Sequence, residues 1–469
     1  MPKSVLQERT ELPREKKPTR SQVKRKGARK IGLDEYRRRR RELMAMMEEG
    51  SIAIVAGATE KYRNADVTYP FRQDSDFHYL TGFDEPDAVF VLVPGRAHGE
   101  SILFCRERDD EHERWHGDIT GPERVMQLHG MDDAFPLSDI DDILPGLIEG
   151  RTRLYYAMGQ DRDFDVQVID WVKMIDSSND PGSEPPGEFV QLEQYLHELR
   201  LFKSAAEIEL MQLAADATAR GHIRIMQCVE PGMLEYELEA ELTHEFAMNG
   251  ARSAAYPSIV GGGNNACVLH YIRNSDVLCD GDLVLVDAGG EYENYACDVT
   301  RTFPVNGRFA EPQARVYEIV LEAQAAAIDR IAPGNTWNEP HEAAMRVITR
   351  GLISLGILEG DPETLFTEAA YQPYCMHKTG HWLGLDVHDV GDYQVNGEWR
   401  VFEEGMVTTV EPGLYFPADL LQVPECYRGI GIRIEDDVLV TRAGNRVLTD
   451  AVPRTIQDIE ALMARGEGA

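Results

Sequence analysis

Residues 282–290 read DLVLVDAGG, an apolar run with an aspartate at each end of its core and two glycines behind it. Leu283–Val286 suit a strand buried on both faces, and Gly289 and Gly290 stop it. Asp287 therefore ends a buried strand, where an ionised carboxylate is costly unless it is paired or holds a cation. A second strand follows, with Asp298 inside Ala296-Cys-Asp-Val-Thr-Arg-Thr302. Two such aspartates on neighbouring strands repel each other without a positive charge between them. Taken alone, turns or salt bridges would serve as well.

The same arrangement returns further along. Val407-Thr-Thr-Val-Glu411-Pro-Gly413 and Gly431-Ile-Arg-Ile-Glu435-Asp-Asp437 each close a strand-like run with a glutamate. Ahead of them, residues 377–388 (HKTGHWLGLDVH) concentrate three of the chain's 13 histidines, His377, His381 and His388. Each carboxylate pair also follows two helices. Ser204-Ala-Ala-Glu207 has capping-box spacing before an amphipathic helix that runs to about Cys228, and a second helix spans 235–249. Later a helix over 313–331 breaks at Pro333-Gly334, and its partner ends at Gly356. Helices in pairs, each followed by strands, read as an internal duplication with a site built from both halves.

Upstream the pattern changes. A helix opens near Leu33 and closes at Gly50, followed by strands at 51–55, 88–93, 101–105 and 154–157 with helices at 122–128 and 163–174. Alternating strands and helices predict an α/β domain over 32–175. The proline- and glycine-rich stretch DSSNDPGSEPPG within 176–190 reads as a linker, which leaves 191–469 as the second domain. Residues 1–31 are polar and basic and read as a disordered extension.

Composition narrows the functional classes. The net charge is −33, yet residues 1–41 carry sixteen Lys or Arg against five Asp or Glu, so the rest of the chain carries −44. A body that acidic repels nucleic acid, and no such partner is expected. No apolar run approaches the ~18 residues of a membrane span, and no secretory signal is visible. Seven scattered cysteines without a CxxC pair fit a reducing cytosol better than a disulfide framework.

Four strand-end carboxylates and an imidazole are the donors for two divalent ions about 3.5–4 Å apart, which activate a water and polarise a carbonyl. Hard oxygen donors with one histidine favour Mn²⁺, with zinc or cobalt as alternatives. These segments, in this order and spacing, resemble the metal-dependent aminopeptidases and prolidases of the pita-bread fold, and among them the bacterial aminopeptidase P group. The resemblance extends to Tyr69–Phe77, Thr81–Pro86, Glu198–Lys203, Leu269–Tyr271 and Tyr427–Arg433, and spans roughly residues 34–460.

The resemblance implies an α+β and α/β architecture. A creatinase-type, RNase H-like N-terminal domain precedes a pseudo-twofold pita-bread catalytic domain. It implies a hydrolase that removes the N-terminal residue from peptides with proline second, in homodimers or homotetramers. Asp287 chelates one ion, Asp298 and Glu435 bridge, and His381 and Glu411 complete the other shell, with Glu411 also handling the proton of the attacking water. His270 and His388 contact substrate and stabilise the tetrahedral intermediate, and His377 shapes the proline pocket. Arg433 lies on the face of Glu435 and joins Tyr256 and Asp66 in a polar network. Trp115 lines the pocket of a neighbouring subunit. The alternatives are a prolidase restricted to dipeptides, a catalytically silent binding protein, and a metal-free creatinase-like hydrolase. The last two lack the carboxylate set.

Overall fold

The apolar strands of the first domain are continuous rather than alternating because both faces of their sheet are covered. The computed structural model describes residues 29–177 and 183–466. The expected extension falls almost wholly on residues 1–28, outside that range. After a helix at Leu33–Met46, six strands form one sheet in the order 133–136, 101–105, 89–92, 51–56, 153–156, 188–191. The strand Ser51–Ala56 runs antiparallel to Val89–Leu92 and parallel to Arg153–Tyr156. Its residues alternate between two cores. Ile52 and Ile54 pack with Val91 and Phe104 under the helices Ile140–Ile148 and Arg162–Asp176, while Ala53 and Val55 join the core that continues into the rest of the chain.

The last strand of this sheet corrects one expectation. Glu188–Gln191 pairs in parallel with Arg153–Tyr156, so the end of the 176–190 segment belongs to the sheet rather than to a linker. Phe189 and Val190 have the side chains a strand favours, and the preceding prolines obscured them.

The second domain repeats one unit. Ala205–Cys228, opened by a Ser204–Glu207 capping box, pairs with Glu235–Met248; Glu311–Ile328 pairs with Asn338–Ser354. The first pair precedes a sheet of strands 259–262, 283–287 and 300–304, and the second a sheet of 407–410, 436–441 and 444–447 with the hairpin 413–416/430–433. In the first half Asp287 pairs with Thr300, two residues after Asp298; in the second Val410 pairs with Asp436, so Glu411 and Glu435 are the next residues outward. Each half thus offers two carboxylates from the adjoining ends of antiparallel strands. The halves are stitched together at that level: Glu435 N donates to Thr300 O at 3.0 Å and Asp298 N to Asp437 Oδ2 at 3.2 Å. No described helix is long and apolar enough to cross a membrane.

Candidate metal centre

Where the two halves meet, a cavity of about 430 Å³ is lined by all five expected ligands together with His270, His377, His388 and Arg433. Asp298, His381 and Glu435 converge most tightly, with one donor atom from each lying within 4.8 Å of the others. Glu411 Oε1 is 3.7 Å from His381 Nε2, and Asp298 Oδ2 is 3.4 Å from the same nitrogen. Asp287 and Asp298 share the Tyr256 hydroxyl, at 2.6 Å and 2.5 Å.

The donor set fits a divalent cation. His381 Nδ1 is 2.9 Å from the Trp382 carbonyl, which can only accept, so that nitrogen carries the proton and Nε2 faces the carboxylates. That is how a metal-binding imidazole is oriented. Asp287, Asp298 and Glu435 are no more than 8% exposed. Burial pushes Glu435 well above the usual carboxylate range, and the charges of Asp298, Glu411 and Asp287 push it further. Burial also lifts Glu411 to about 7, against the pull of His381 and Arg433. Asp298 resists burial and stays below the usual range because it bonds His381. His381 is raised to about 9: burial alone would lower it, but Asp298 and Glu411 hold its proton. Without a metal the imidazolium is the counter-ion of the cluster, and a divalent cation is what displaces that proton.

Arg433 is fully committed inside the catalytic domain. Its Nη2 donates to Asp287 Oδ2 at 2.6 Å, Nε to Thr300 Oγ1 at 3.1 Å and Nη1 to Tyr415 Oη at 3.0 Å. Tyr256 meets it through Asp287, but Asp66 does not. Asp66 is exposed in the turn between Tyr62–Asn64 and Val67–Thr68, and makes no hydrogen bond to Arg433 among the described residues. Of the expected three-way network, the described residues thus show Arg433 and Tyr256 meeting at Asp287, with no bond to Asp66. Trp115 is also away from this cavity, 80% exposed on the short helix Asp110–His116.

Two contributors escaped the reading of the sequence. Thr300 Oγ1 donates to Glu435 Oε2 at 2.6 Å while receiving Arg433 Nε, so it fixes both side chains at once. Its signal was alternation, because Thr300 is two residues from Asp298 and shares its face. Tyr415 bridges Arg433 to His377, with its oxygen 2.8 Å from His377 Nε2. Since His377 Nδ1 faces the Lys378 carbonyl at 2.8 Å, Nε2 accepts and the Tyr415 hydroxyl donates. Burial, and then Arg433, lower His377 to about 4, so it is neutral in this role. The two remaining histidines, His270 and His388, face the cavity from its exposed side.

A pita-bread scaffold carrying buried carboxylates and a metal-oriented imidazole between its halves defines a metal-dependent peptidase. Comparison with known proteins agrees. Residues 209–442 match metallopeptidase family M24, and residues 36–155 match the N-terminal domain of aminopeptidase P. The Xaa-Pro aminopeptidases of Haemophilus influenzae and Escherichia coli are each 45% identical over 434 residues, covering 92% of this chain and 98% of theirs. The Pseudomonas aeruginosa aminopeptidase PepP structure superposes with a TM-score of 0.93 at 56% identity, over 94% of this chain and all of that one. A zinc-substituted E. coli aminopeptidase P in complex with product gives 0.91 at 44% identity, over 93% of this chain and 99% of that one. The chain belongs to the aminopeptidase P group of metallopeptidase family M24, and it is a metal-dependent exopeptidase.

Proposed function

We propose that this enzyme releases the N-terminal residue from peptides whose second residue is proline. In this reading Asp287, Asp298, His381, Glu411 and Glu435 hold two divalent cations, Mn²⁺ being the one their hard donors favour. The observation that carries the reading is the convergence of Asp298, His381 and Glu435 within 4.8 Å, in a chain matched over 92% of its length by proteins named Xaa-Pro aminopeptidase.

When bound, the cations supply an activated water and polarise the scissile carbonyl. The side chains do the rest. Glu411, at the edge of the cluster and facing the cavity, takes the proton of the attacking water and passes it to the leaving nitrogen. His270 and His388 supply donors to the oxygen that becomes negative. Arg433 and Tyr256 hold Asp287 in place from opposite sides. The neutral His377–Tyr415 pair forms a rigid wall against which a proline ring can rest. Proline removes the amide hydrogen at the scissile nitrogen, and nothing in this arrangement requires that hydrogen.

The family matches at 36–155 and 209–442 support two domains, the first extended to the strand Glu188–Gln191 that closes its sheet. We assign the enzyme to the cytosol as a homodimer or homotetramer. Seven unpaired cysteines support the compartment, and the exposed Trp115 supports a pocket completed by a neighbouring subunit. The test is kcat/KM for Xaa-Pro-Ala against Xaa-Pro and Xaa-Ala-Ala, after chelation and after Mn²⁺ is restored. The tripeptide with proline second should be preferred, and only with metal. Cleavage of the dipeptide alone would make the enzyme a prolidase, and equal rates with alanine second would remove the proline requirement.

A further inference from the structure

His388 lacks any hydrogen bond of its own among the described residues. Its ring is exposed toward the cavity and touches His381 edge-on, with centroids 4.4 Å apart. Its position is therefore set by the backbone of residues 384–389, and that backbone is gripped from outside the catalytic halves. From the N-terminal domain, Arg72 Nη2 donates to the Leu385 carbonyl at 2.6 Å, and Ser75 Oγ to Asp386 Oδ1 at 2.6 Å. From the helix Glu193–Leu201 and the residues just after it, Arg200 Nη2 bonds Asp386 Oδ2 at 2.7 Å and Asp389 Oδ1 at 2.6 Å, while Lys203 Nζ bonds Asp389 Oδ2 at 2.9 Å. Arg200 is tied back to the N-terminal domain through Asp76 at 2.8 Å. Arg200, Lys203 and Asp389 are all buried, so these charges are matched in a dry setting rather than screened. Gly384 completes the grip: a Cβ there would lie 2.1 Å from Asp389 Oδ2.

A loop carrying one exposed histidine is thus fixed on both flanks of that residue, at 385–386 and at 389, by groups that touch neither the cavity nor the metal ligands. We propose that Arg72 and Ser75 of the N-terminal domain are positioning residues for His388, so that this domain sets the rate of the chemical step. The inference rests on the role given to His388 above. A donor aimed at a developing oxyanion acts in the transition state, and a misplacement of about 1 Å costs on the order of 10²-fold. Loosening the loop should therefore lower kcat and leave KM nearly unchanged.

The test is a double-mutant cycle on the metal-loaded enzyme with an Xaa-Pro tripeptide, using Arg72→Ala/Ser75→Ala and His388→Ala. Arg72 is about a third exposed and neither residue is in the hydrophobic core, and Ser75→Ala alone serves if the pair does not fold. Metal content and melting temperature are recorded for every variant. We expect Arg72→Ala/Ser75→Ala to lower kcat roughly tenfold with metal retained, and to add no further loss once His388 is alanine. An equal loss with and without His388 would overturn the proposal, since the effect would then be general destabilisation. Unchanged kcat in Arg72→Ala/Ser75→Ala would overturn it as well. Wild-type turnover by His388→Ala alone is a separate failure: it would remove the catalytic role of His388 and with it the reason for the grip.

Discussion

Arg433 Nη2 lies 2.6 Å from Asp287 Oδ2, joining the last residue of strand Ile430–Arg433 to the last residue of strand Leu283–Asp287. One half of the catalytic domain thereby neutralises a carboxylate of the other. Both groups are buried, so removing the arginine leaves Asp287 without its positively charged partner. We predict that Arg433→Ala lowers the unfolding free energy of the metal-free protein by about 3–5 kcal/mol. Denaturant unfolding after chelation measures it. A loss below about 1 kcal/mol would mean that the pair counts for no more than an exposed one.

Asp298 is the carboxylate on which the cluster turns, because Tyr256 and His381 both face it. Asp298→Ala should abolish measurable turnover and lower the bound metal, while the protein still folds. Elemental analysis of the purified variant decides the matter: a full metal complement with near-normal activity would end the five-ligand reading.

The metal-free protein should lose stability as pH rises from 6.5 to 8.5. Glu411 is lifted from 4.5 to about 7 and Glu435 well above its usual range by burial; His381 is lifted from 6.5 to about 9, Asp298 and Glu411 outweighing its burial. A group with a raised folded-state value contributes stability that is fully present below its unfolded value and lost as pH passes its folded value. His222, His341 and His377, each lowered to about 4, act in the opposite sense, but only between about 4 and 6.5. Above 6.5 the first set governs. The chelated protein should melt lower at pH 8.5 than at 6.5, and Mn²⁺ should restore it by neutralising the carboxylates. A melting temperature that rises with pH in the absence of metal would contradict this account of the cluster.

Trp115 is 80% exposed and supplies nothing to the hydrophobic core of its own chain. On the proposal that this side chain serves a neighbouring pocket, Trp115→Ala should leave the melting temperature unchanged yet raise KM for Xaa-Pro peptides several-fold. Steady-state kinetics at a concentration where the oligomer persists provides the check. Identical constants would remove Trp115 from the site.

Much of this was readable along the chain because the relevant forces are local. Apolar runs that end in carboxylates announced Asp287, Glu411 and Glu435, since a charge at the end of a buried strand needs a reason to be there. The Ser204–Glu207 box announced a helix because both of its hydrogen bonds close within one turn. The strand at 188–191 was hidden for the converse reason. Its neighbour in sequence is a proline-rich stretch, and its partner, 153–156, is more than thirty residues away.

What the sequence by itself determined is the inventory: two helix-and-strand units, four carboxylates at strand ends and a histidine cluster between them. Periodicity and the cost of buried charge are properties of short stretches, so they survive in one dimension. What only the tertiary structure decided is which of these groups touch. Thr300 reaches Glu435 across 135 positions, Arg433 takes Asp287 rather than Asp66, and the loop of His388 is held by Arg72 and Ser75 more than 300 residues upstream. A hydrogen bond a few ångströms long depends on how the two halves pack against each other and against the N-terminal domain. That packing is the sum of many weak apolar contacts, and no single stretch of sequence encodes it.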